Sequence, residues 1–364
     1  MLDMKISRFF VFLFILGLSS CGKQKPAEES KLPVFTLAWS EYPSWSIFGV
    51  AAEDGLIDGA EGKLGTMEEK WGVDIVLKEA GYGPCLQMYG SGLADAVCVT
   101  QLDAFNPAKT RQSVLVLPTS MSNGADALVT TKDITKLEQL EDVEVYGLEK
   151  SVSEYFFFRI LELEGKRRED YSFINRDPQV AALGMQFKDE AVKAIVVWNP
   201  YLLETLKKRD DVHVLFDSTK MPKEIIDAVV VAQGSLDKPG GPQFAAALIE
   251  AFYAVNAKLA ETSTRADALS KLGEKFAAGI ESADMETILE QTKIYSTPES
   301  GLALLNDKEL SDILERSSDL AYGLEFFDDR PKVAIGNKET EGDADLRLDS
   351  TYIKLFQTGP GGGK

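Results

Sequence analysis

The sequence predicts an α/β protein of two domains, and three observations lead to this prediction. The chain has 364 residues, 45% of them hydrophobic, which is enough for two domain cores. Short apolar stretches alternate with stretches whose apolar residues follow helical spacing, as in mostly parallel sheets covered by helices. The last third of the chain has helical spacing throughout, which indicates a helical C-terminal part.

The predicted elements follow one another along the chain. Strands are expected because short apolar or alternating runs occur at residues 34–39, 73–80, 94–100, 114–118, 127–131, 143–149, 193–198, 212–218 and 227–233. Helices are expected because apolar residues recur every three or four positions at residues 45–57, 84–92, 151–165, 243–261, 281–295 and 308–324. The glycine-rich end, TGPGGGK, is expected to be a disordered tail.

The N-terminus has the pattern of an export signal. Lys5 and Arg8 precede an apolar run of about ten residues, whereas a bilayer-spanning helix needs about 20. The run ends in Leu-Ser-Ser before Cys21, which resembles a bacterial lipobox, although a plain secretory signal remains the alternative. We therefore expect a signal peptide at 1–20, lipidation at Cys21, a tether at 21–33, and a folded body outside the cytoplasm held to a membrane by lipid alone.

Charge and composition exclude several function classes. The formal net charge is −19, so the chain repels phosphate backbones and we expect no nucleic-acid partner. The single histidine, His213, lies in an apolar strand pattern, and no motif for nucleophilic catalysis, metal binding or a cofactor occurs, so we expect no catalytic residue, no metal and no cofactor. Cys85 and Cys98 are expected to be unpaired core thiols, with a disulfide between them as the open alternative.

Polar and aromatic residues are concentrated where the predicted strands end, at residues 39–45, 100–103, 122–126, 149–155, 198–201 and 217–227. Ligands of α/β proteins bind beyond the carboxyl ends of strands. Single segments also have local explanations, such as a helix-capping box at 151–154 or a turn at 123–124. Six such segments together predict one ligand site, with these candidates: Trp39, Ser40, Glu41, Tyr42, Trp45, Gln101, Asp103, Asn123, Asp126, Glu149, Ser151, Ser153, Trp198, Asn199 and Asp227.

In series, these segments resemble a known family. AWSEYPSW, YGSGLADAVCVTQLDAF, SNGADA, GLEKSVSEYFFFR, VVWNPYL and FDSTKMPKEIIDAVVV are similar, in this order, to the solute-binding lipoproteins of bacterial ABC importers in the nitrate/taurine/sulfonate and thiamine-precursor group. The resemblance spans about residues 34–330 and is closest to the subgroup encoded beside urea carboxylase. The chain departs from that subgroup at AWSEYPSW, where the subgroup has a glycine-centred stretch without the acid.

The resemblance implies a type II periplasmic-binding fold, in which two α/β lobes are joined by a hinge and hold a ligand in the cleft between them. Lobe one would comprise 34–125 and 220–330, lobe two 126–219, and a C-terminal tail 331–364. The two chain crossings would lie near 123–126 and 217–227. The implied partners are a small-molecule ligand and the permease and ATPase subunits of an importer, and the protein would not be an enzyme.

Two observations on the sequence favour ligands of opposite charge. Helix N-termini near residues 44–45 and 151 favour a small anion, such as nitrate, a sulfonate or taurine. Carboxylates beside aromatic rings, without arginine in any of the six segments, favour a cationic or amide-like nitrogen compound such as urea or guanidine. A thiamine precursor and a sensory or structural lipoprotein without transport are further alternatives. Some relatives of the implied fold make the thiamine pyrimidine, but their cysteine-rich motif is missing here.

Overall fold

Two β-sheets organise the residues that this computed structural model describes, namely 31–276, 280 and 282–361. The predicted signal peptide, the lipidation site at Cys21 and most of the tether lie outside these residues. The described strands are β1 (Val34–Trp39), β2 (Asp74–Glu79), β3 (Ala96–Thr100), β4 (Ser113–Ser122), β5 (Asp126–Thr131), β6 (Glu144–Gly147), β7 (Ser172–Asn175), β8 (Ala194–Trp198), β9 (Val212–Asp217), β10 (Ile226–Ala232), β11 (Thr292–Ile294), β12 (Val333–Ile335) and β13 (Leu346–Leu348).

The predicted α/β class is confirmed, although both sheets are mixed rather than mostly parallel. The first sheet has the order β12-β13-β4-β10-β3-β1-β2, with β11 also paired to β4, and the second has the order β7-β6-β8-β5-β9. In the first, β10 runs antiparallel to both neighbours, β3 and β4. In the second, β5 runs antiparallel to both neighbours, β8 and β9. These two antiparallel strands directly follow the points where the chain passes from one sheet to the other.

Helices cover the sheets and connect their strands. The described helices are α1 (Ile47–Glu53), α2 (Thr66–Trp71), α3 (Tyr82–Gly90), α4 (Gln101–Ala108), α5 (Val152–Leu163), α6 (Pro178–Gln186), α7 (Tyr201–Lys208), α8 (Gln233–Leu236), α9 (Gly241–Ala260), α10 (Thr262–Phe276), α11 (Ser282–Gln291), α12 (Pro298–Leu305), α13 (Leu310–Gly323), α14 (Lys338–Glu341) and α15 (Thr351–Thr358). Several of the shorter ones, such as α2, α4 and α6, were not expected, because one or two turns give too few apolar repeats to recognise. None of the described helices combines the length and hydropathy needed to cross a membrane.

The chain crosses between the sheets twice, near the two positions that the family resemblance implies. The first crossing joins β4 to β5 through Asn123–Ala125, and the second joins β9 to β10 through 218–225. The hydroxyls of Ser122 and Ser218 lie 2.6 Å apart, and the amide of Gly124 donates to the Ser218 hydroxyl at 2.7 Å. Gly124 has φ +102°, which glycine adopts without strain. The two crossings are therefore bonded to each other side by side.

The prediction of a C-terminal tail at 331–364 is wrong for residues 331–361. There, β12 pairs in parallel with β13, and β13 pairs in parallel with β4 of the first sheet. Leu346 and Leu348 are buried by this pairing. The strands have three residues each and are separated by a polar, glycine-containing stretch, so their sequence contains almost no periodic signal. Their pairing partner lies more than 200 residues earlier in the chain.

The apolar core forms on both sides of the first sheet and beneath the helices of the second. Cys85 and Cys98 are buried in this core as free thiols, which confirms the expectation that they are unpaired. Leu32–Lys364 form one compact unit. The two sheets and both crossings thus belong to a single folded body.

Candidate functional site

A small cavity, here called the inner cavity, lies where strands of both sheets end. Its volume is about 10 Å³, enough for roughly one water molecule, so a larger ligand enters only when the surrounding walls move apart. An aromatic wall is formed by Tyr42, Trp45, Tyr82 and Trp198, and a polar wall by Thr100, Asp126 and Asp227. Both sheets contribute residues, because Asp126 and Trp198 come from the second sheet and the others from the first.

Strand direction explains why two aspartates meet in the inner cavity. The carboxyl ends of β3, in the first sheet, and of β8, in the second sheet, both lie at the cavity. Since β10 runs antiparallel to β3, its second residue, Asp227, pairs with Thr100, the last residue of β3. Likewise, Asp126 is the first residue of β5 and pairs with Trp198, the last residue of β8, which runs antiparallel to β5. Each crossing therefore delivers one carboxyl group to the site.

The aromatic wall is a continuous series of ring contacts. The rings of Tyr42 and Trp45 lie 4.7 Å apart between centroids, and Trp45 stacks in parallel on Tyr82 at 5.6 Å. Tyr82 in turn meets Trp198 edge to face at 5.8 Å. This last contact joins the part of the wall built on the first sheet to the part built on the second. Such faces carry negative charge density and attract cations.

Three buried carboxyl groups adjoin these rings. Asp103, Asp126 and Asp227 are at most 5% exposed. Burial raises the pKa of Asp103 to about 7 and that of Asp126 to about 6. Burial, and to a smaller degree the neighbouring charge of Asp126, also raises the pKa of Asp227 well above its ordinary value. A cation placed between them would favour the ionised carboxylates.

Hydroxyl groups hold the carboxyls in place. The Ser120 hydroxyl donates to Asp227 Oδ2 at 2.6 Å and contacts the Ser44 hydroxyl at 2.8 Å. The Tyr82 hydroxyl donates to Asp103 Oδ2 at 2.6 Å, so Asp103 lies directly behind the aromatic wall. These short bonds fix the carboxyl positions in the absence of ligand.

One buried polar atom of the aromatic wall, the Trp45 indole nitrogen Nε1, has no hydrogen-bond partner among the described residues. Leaving a buried polar group unpaired costs about 1–3 kcal/mol, so a ligand that pairs with one is favoured. No lysine, arginine or histidine is among the described residues that line the inner cavity. The described part of the chain also contains no group of three or more His, Cys, Asp or Glu arranged to hold a metal ion.

A larger space, here called the vestibule, adjoins the inner cavity and opens to solvent. It has a volume of about 360 Å³, and its lining includes Ser40, Glu41, Gly81, Asp177, Gln179 and Tyr201. Tyr82 and Trp198 line both spaces, so these two rings form the partition between them.

The structure brings together six of the predicted site residues around the inner cavity: Tyr42, Trp45, Asp103, Asp126, Trp198 and Asp227. Ser40 and Glu41 lie in the vestibule instead. Trp39 points away from the cleft, because its ring packs against Gly49 of α1, where an added Cβ would come within 2.9 Å of the indole.

The remaining candidates have other positions. The Gln101 side-chain amide donates a hydrogen bond to the Glu224 carbonyl and accepts one from the Ile226 amide. Gln101 therefore stabilises the second crossing. The Ser151 hydroxyl caps α5 by accepting from the Ser153 amide. Glu149 is exposed, while Ser153 is buried and its hydroxyl has no partner among the residues that the structure describes.

Two predicted asparagines lie near the crossings. The Asn199 amide donates to Gln291 Oε1 at 2.7 Å, which ties the end of β8 to α11. Asn123 lines a different groove, together with Asn256 and Arg265, and is exposed there. Neither is part of the inner-cavity lining.

Two residues of the site were not recognised in the sequence. Tyr82 begins α3 within the short stretch GYGP, which reads as a turn. Ser120 lies in β4, which continues four residues beyond the predicted strand. The polar residues Thr119, Ser120 and Ser122, directly after the apolar run, were the available signal for Ser120.

The protein was compared with known families, sequences and structures. No protein-family model and no curated protein matches the sequence. Among solved structures, the periplasmic aliphatic sulphonate-binding protein SsuA from Escherichia coli matches with a TM-score of 0.62 at 18% identity, covering 82% of this chain and 89% of that one. The alkanesulfonate-binding protein SsuA from Xanthomonas axonopodis pv. citri, bound to MOPS, matches with a TM-score of 0.64 at 14% identity, covering 83% and 96%.

The periplasmic nitrate-binding protein NrtA from Synechocystis PCC 6803 matches with a TM-score of 0.56 at 11% identity, covering 81% of this chain and 86% of that one. At these identities the likeness concerns the fold. The two mixed sheets, the paired crossings and the cavity between the sheets thus identify the architecture as the periplasmic-binding-protein fold.

Proposed function

We propose that this protein is an extracytoplasmic solute-binding lipoprotein of an ABC importer, and that it captures a small nitrogen compound of the guanidinium or urea type. The lipobox-like sequence at Cys21 supports export and lipid anchoring. The fold supports ligand capture between two lobes and delivery to a permease with its ATPase. No catalytic step is part of the proposal.

The observation that carries the proposal is the pairing of buried carboxyls with aromatic rings. Asp126 and Asp227 face the inner cavity, and Asp103 lies behind Tyr82, with no basic side chain among the described lining residues. A buried carboxylate without a cation is costly, so the site favours a ligand that supplies positive charge or N–H donors. Planar guanidinium groups both stack on rings and donate to carboxylates. Guanidinium therefore fits better than neutral urea.

The alternative of a small anion has two arguments of its own. Val152, the first residue of α5, lines the inner cavity, and helix N-termini favour anions. The neighbours' names specify sulphonate and nitrate. An anion in the inner cavity would, however, face two carboxyl groups without the arginine or lysine that oxyanion sites use. The charge of the ligand is thus the decisive quantity.

A binding experiment tests this proposal. Thermal unfolding and titration calorimetry of the purified protein at pH 7.5 would compare guanidinium and methylguanidinium with urea, nitrate and taurine. We expect guanidinium compounds to stabilise the protein by about 2.7 kcal/mol at a ligand concentration of one hundred times Kd.

The result can contradict the proposal in two ways. Stabilisation by nitrate or a sulphonate but by no guanidinium compound would assign the site to anions. Binding of neither class across the panel would argue against solute capture. Potassium and chloride salts at equal ionic strength serve as controls for unspecific charge effects.

A further inference from the structure

The vestibule has features that the capture of one small cation does not use. The inner cavity, at about 10 Å³, is far smaller than the vestibule at about 360 Å³. Residues that follow strands of both sheets line the vestibule: Ser40 and Gly81 come after β1 and β2 of the first sheet, and Asp177 and Tyr201 come after β7 and β8 of the second. A ligand longer than the inner cavity would reach this space by passing the partition formed by Tyr82 and Trp198.

The electrostatic field in the vestibule is negative. Burial raises the pKa of Glu41, and the charges of Glu79 and Glu204 raise it further. No hydrogen bond or ion pair joins these three carboxylate side chains to any other described residue. No basic residue is among the described residues lining the vestibule. The negative charge there is therefore uncompensated by the protein.

A buried polar atom points to a ligand in the same place. Ser40 lines the vestibule and is only 4% exposed, yet its hydroxyl has no hydrogen-bond partner among the described residues. A buried hydroxyl without a partner is unfavourable unless a bound group or water pairs with it. The ring of Tyr201 lines the same space and contacts Trp198 at 6.2 Å between centroids. A hydroxyl, a carboxylate and an aromatic face together suit a primary ammonium group.

Resting on the proposed function of the inner cavity, we propose that the vestibule is a second cation subsite and that the natural ligand is an elongated dication. One charged nitrogen group occupies the inner cavity against Asp126 and Asp227. A terminal ammonium group lies in the vestibule against Glu41 and the Ser40 hydroxyl. For the connecting chain of the ligand to pass, the edge-to-face contact between Tyr82 and Trp198 must open.

Two ligands that differ only in the outer charge test the proposal. Titration calorimetry would compare 4-aminobutylguanidine with butylguanidine, which has the same length but no terminal amine. We expect the dication to bind more tightly. Glu41→Gln should weaken dication binding roughly two- to fivefold, as expected for a partly exposed ion pair, and should leave butylguanidine binding unchanged. Ser40→Ala should act in the same selective way, and Asp142→Asn, an exposed and remote charge removal, should alter neither.

The outcomes separate the two proposals. Equal affinities for the two ligands would reject the outer subsite while leaving the inner cavity as a cation site. Equal weakening of both ligands by Glu41→Gln would show that Glu41 acts on the inner cavity or on lobe closure, which also rejects the outer subsite. Failure of both ligands to bind the parent protein would reject the function proposed for the inner cavity and the subsite with it.

Discussion

Replacing Asp126 with asparagine should stabilise the ligand-free protein and weaken ligand binding at the same time. Asp126 is 4% exposed, and burial raises its pKa from 3.8 to about 6. One pKa unit corresponds to about 1.36 kcal/mol, so the ionised carboxylate costs the folded protein about 3 kcal/mol. Asparagine has nearly the same shape and carries no charge.

The sign of the effect depends on pH. Between pH 4 and pH 6 the folded protein binds more protons at this group than the unfolded chain does, so stability falls as pH rises through this range. Above pH 6 the penalty is complete. We therefore expect Asp126→Asn to raise the free energy of unfolding by up to about 3 kcal/mol at pH 8 and to change it little at pH 4.

The same substitution removes an acceptor for a cationic ligand. A hydrogen bond to a charged group contributes about 1.5–3 kcal/mol, and 1.4 kcal/mol is a factor of ten in affinity. We expect guanidinium affinity to fall roughly 10- to 150-fold at pH 8. Thermal unfolding at pH 4 and pH 8 without added ligand measures the first effect, and titration calorimetry measures the second.

Asp142→Asn is the matched control, because Asp142 is exposed and away from the cavity. It should alter neither stability nor affinity appreciably. If Asp126→Asn destabilises the protein at pH 8, the carboxylate is compensated in the fold and the reasoning is wrong. If stability rises but cation affinity is retained, Asp126 does not contact the ligand.

Three further predictions concern the fold and its anchor. Glu224→Gln removes the buried ion pair with Arg159 (2.9 Å) and the contact with Arg316 (3.2 Å). This substitution should lower the free energy of unfolding by about 3–5 kcal/mol, and a loss below about 1 kcal/mol in urea denaturation would contradict the prediction. Cys21→Ala should abolish lipid labelling and release the protein from membranes, and unchanged membrane association would reject the lipobox. Ligand should close the two lobes by bending at the crossings, so small-angle scattering should detect a smaller radius of gyration at saturation, and an unchanged value would count against a hinge.

The composition of the strand ends was readable from the sequence, because it depends on local pattern. Apolar runs predicted β1, β3, β8 and β10, and the polar residues just beyond them included Tyr42, Trp45 and Asp103. Position relative to a strand end is a local property. The two crossings were not readable in this way, and their positions were implied by the family resemblance alone.

Which of those residues face one another depends on the tertiary structure. Trp39 and Tyr42 are three residues apart in one loop region, but the Trp39 ring packs on Gly49 while Tyr42 lines the inner cavity. A strand that is buried on both faces has apolar residues at every position, so its pattern does not say which side faces the cleft. The separation of Glu41 from the inner cavity has the same origin.

The sequence by itself determined the α/β class and the presence of carboxyl and aromatic groups at strand ends, and its resemblance to a family implied where the chain crosses between the sheets. The tertiary structure decided that β5 and β10 run antiparallel to β8 and β3, which brings Asp126 and Asp227 into one cavity. It also decided that β13 pairs with β4, so that the C-terminal segment joins the first sheet. Strand direction and pairing are set by contacts between residues about 70 to more than 200 positions apart. The spacing of apolar residues within a short segment does not depend on such contacts and therefore cannot predict them.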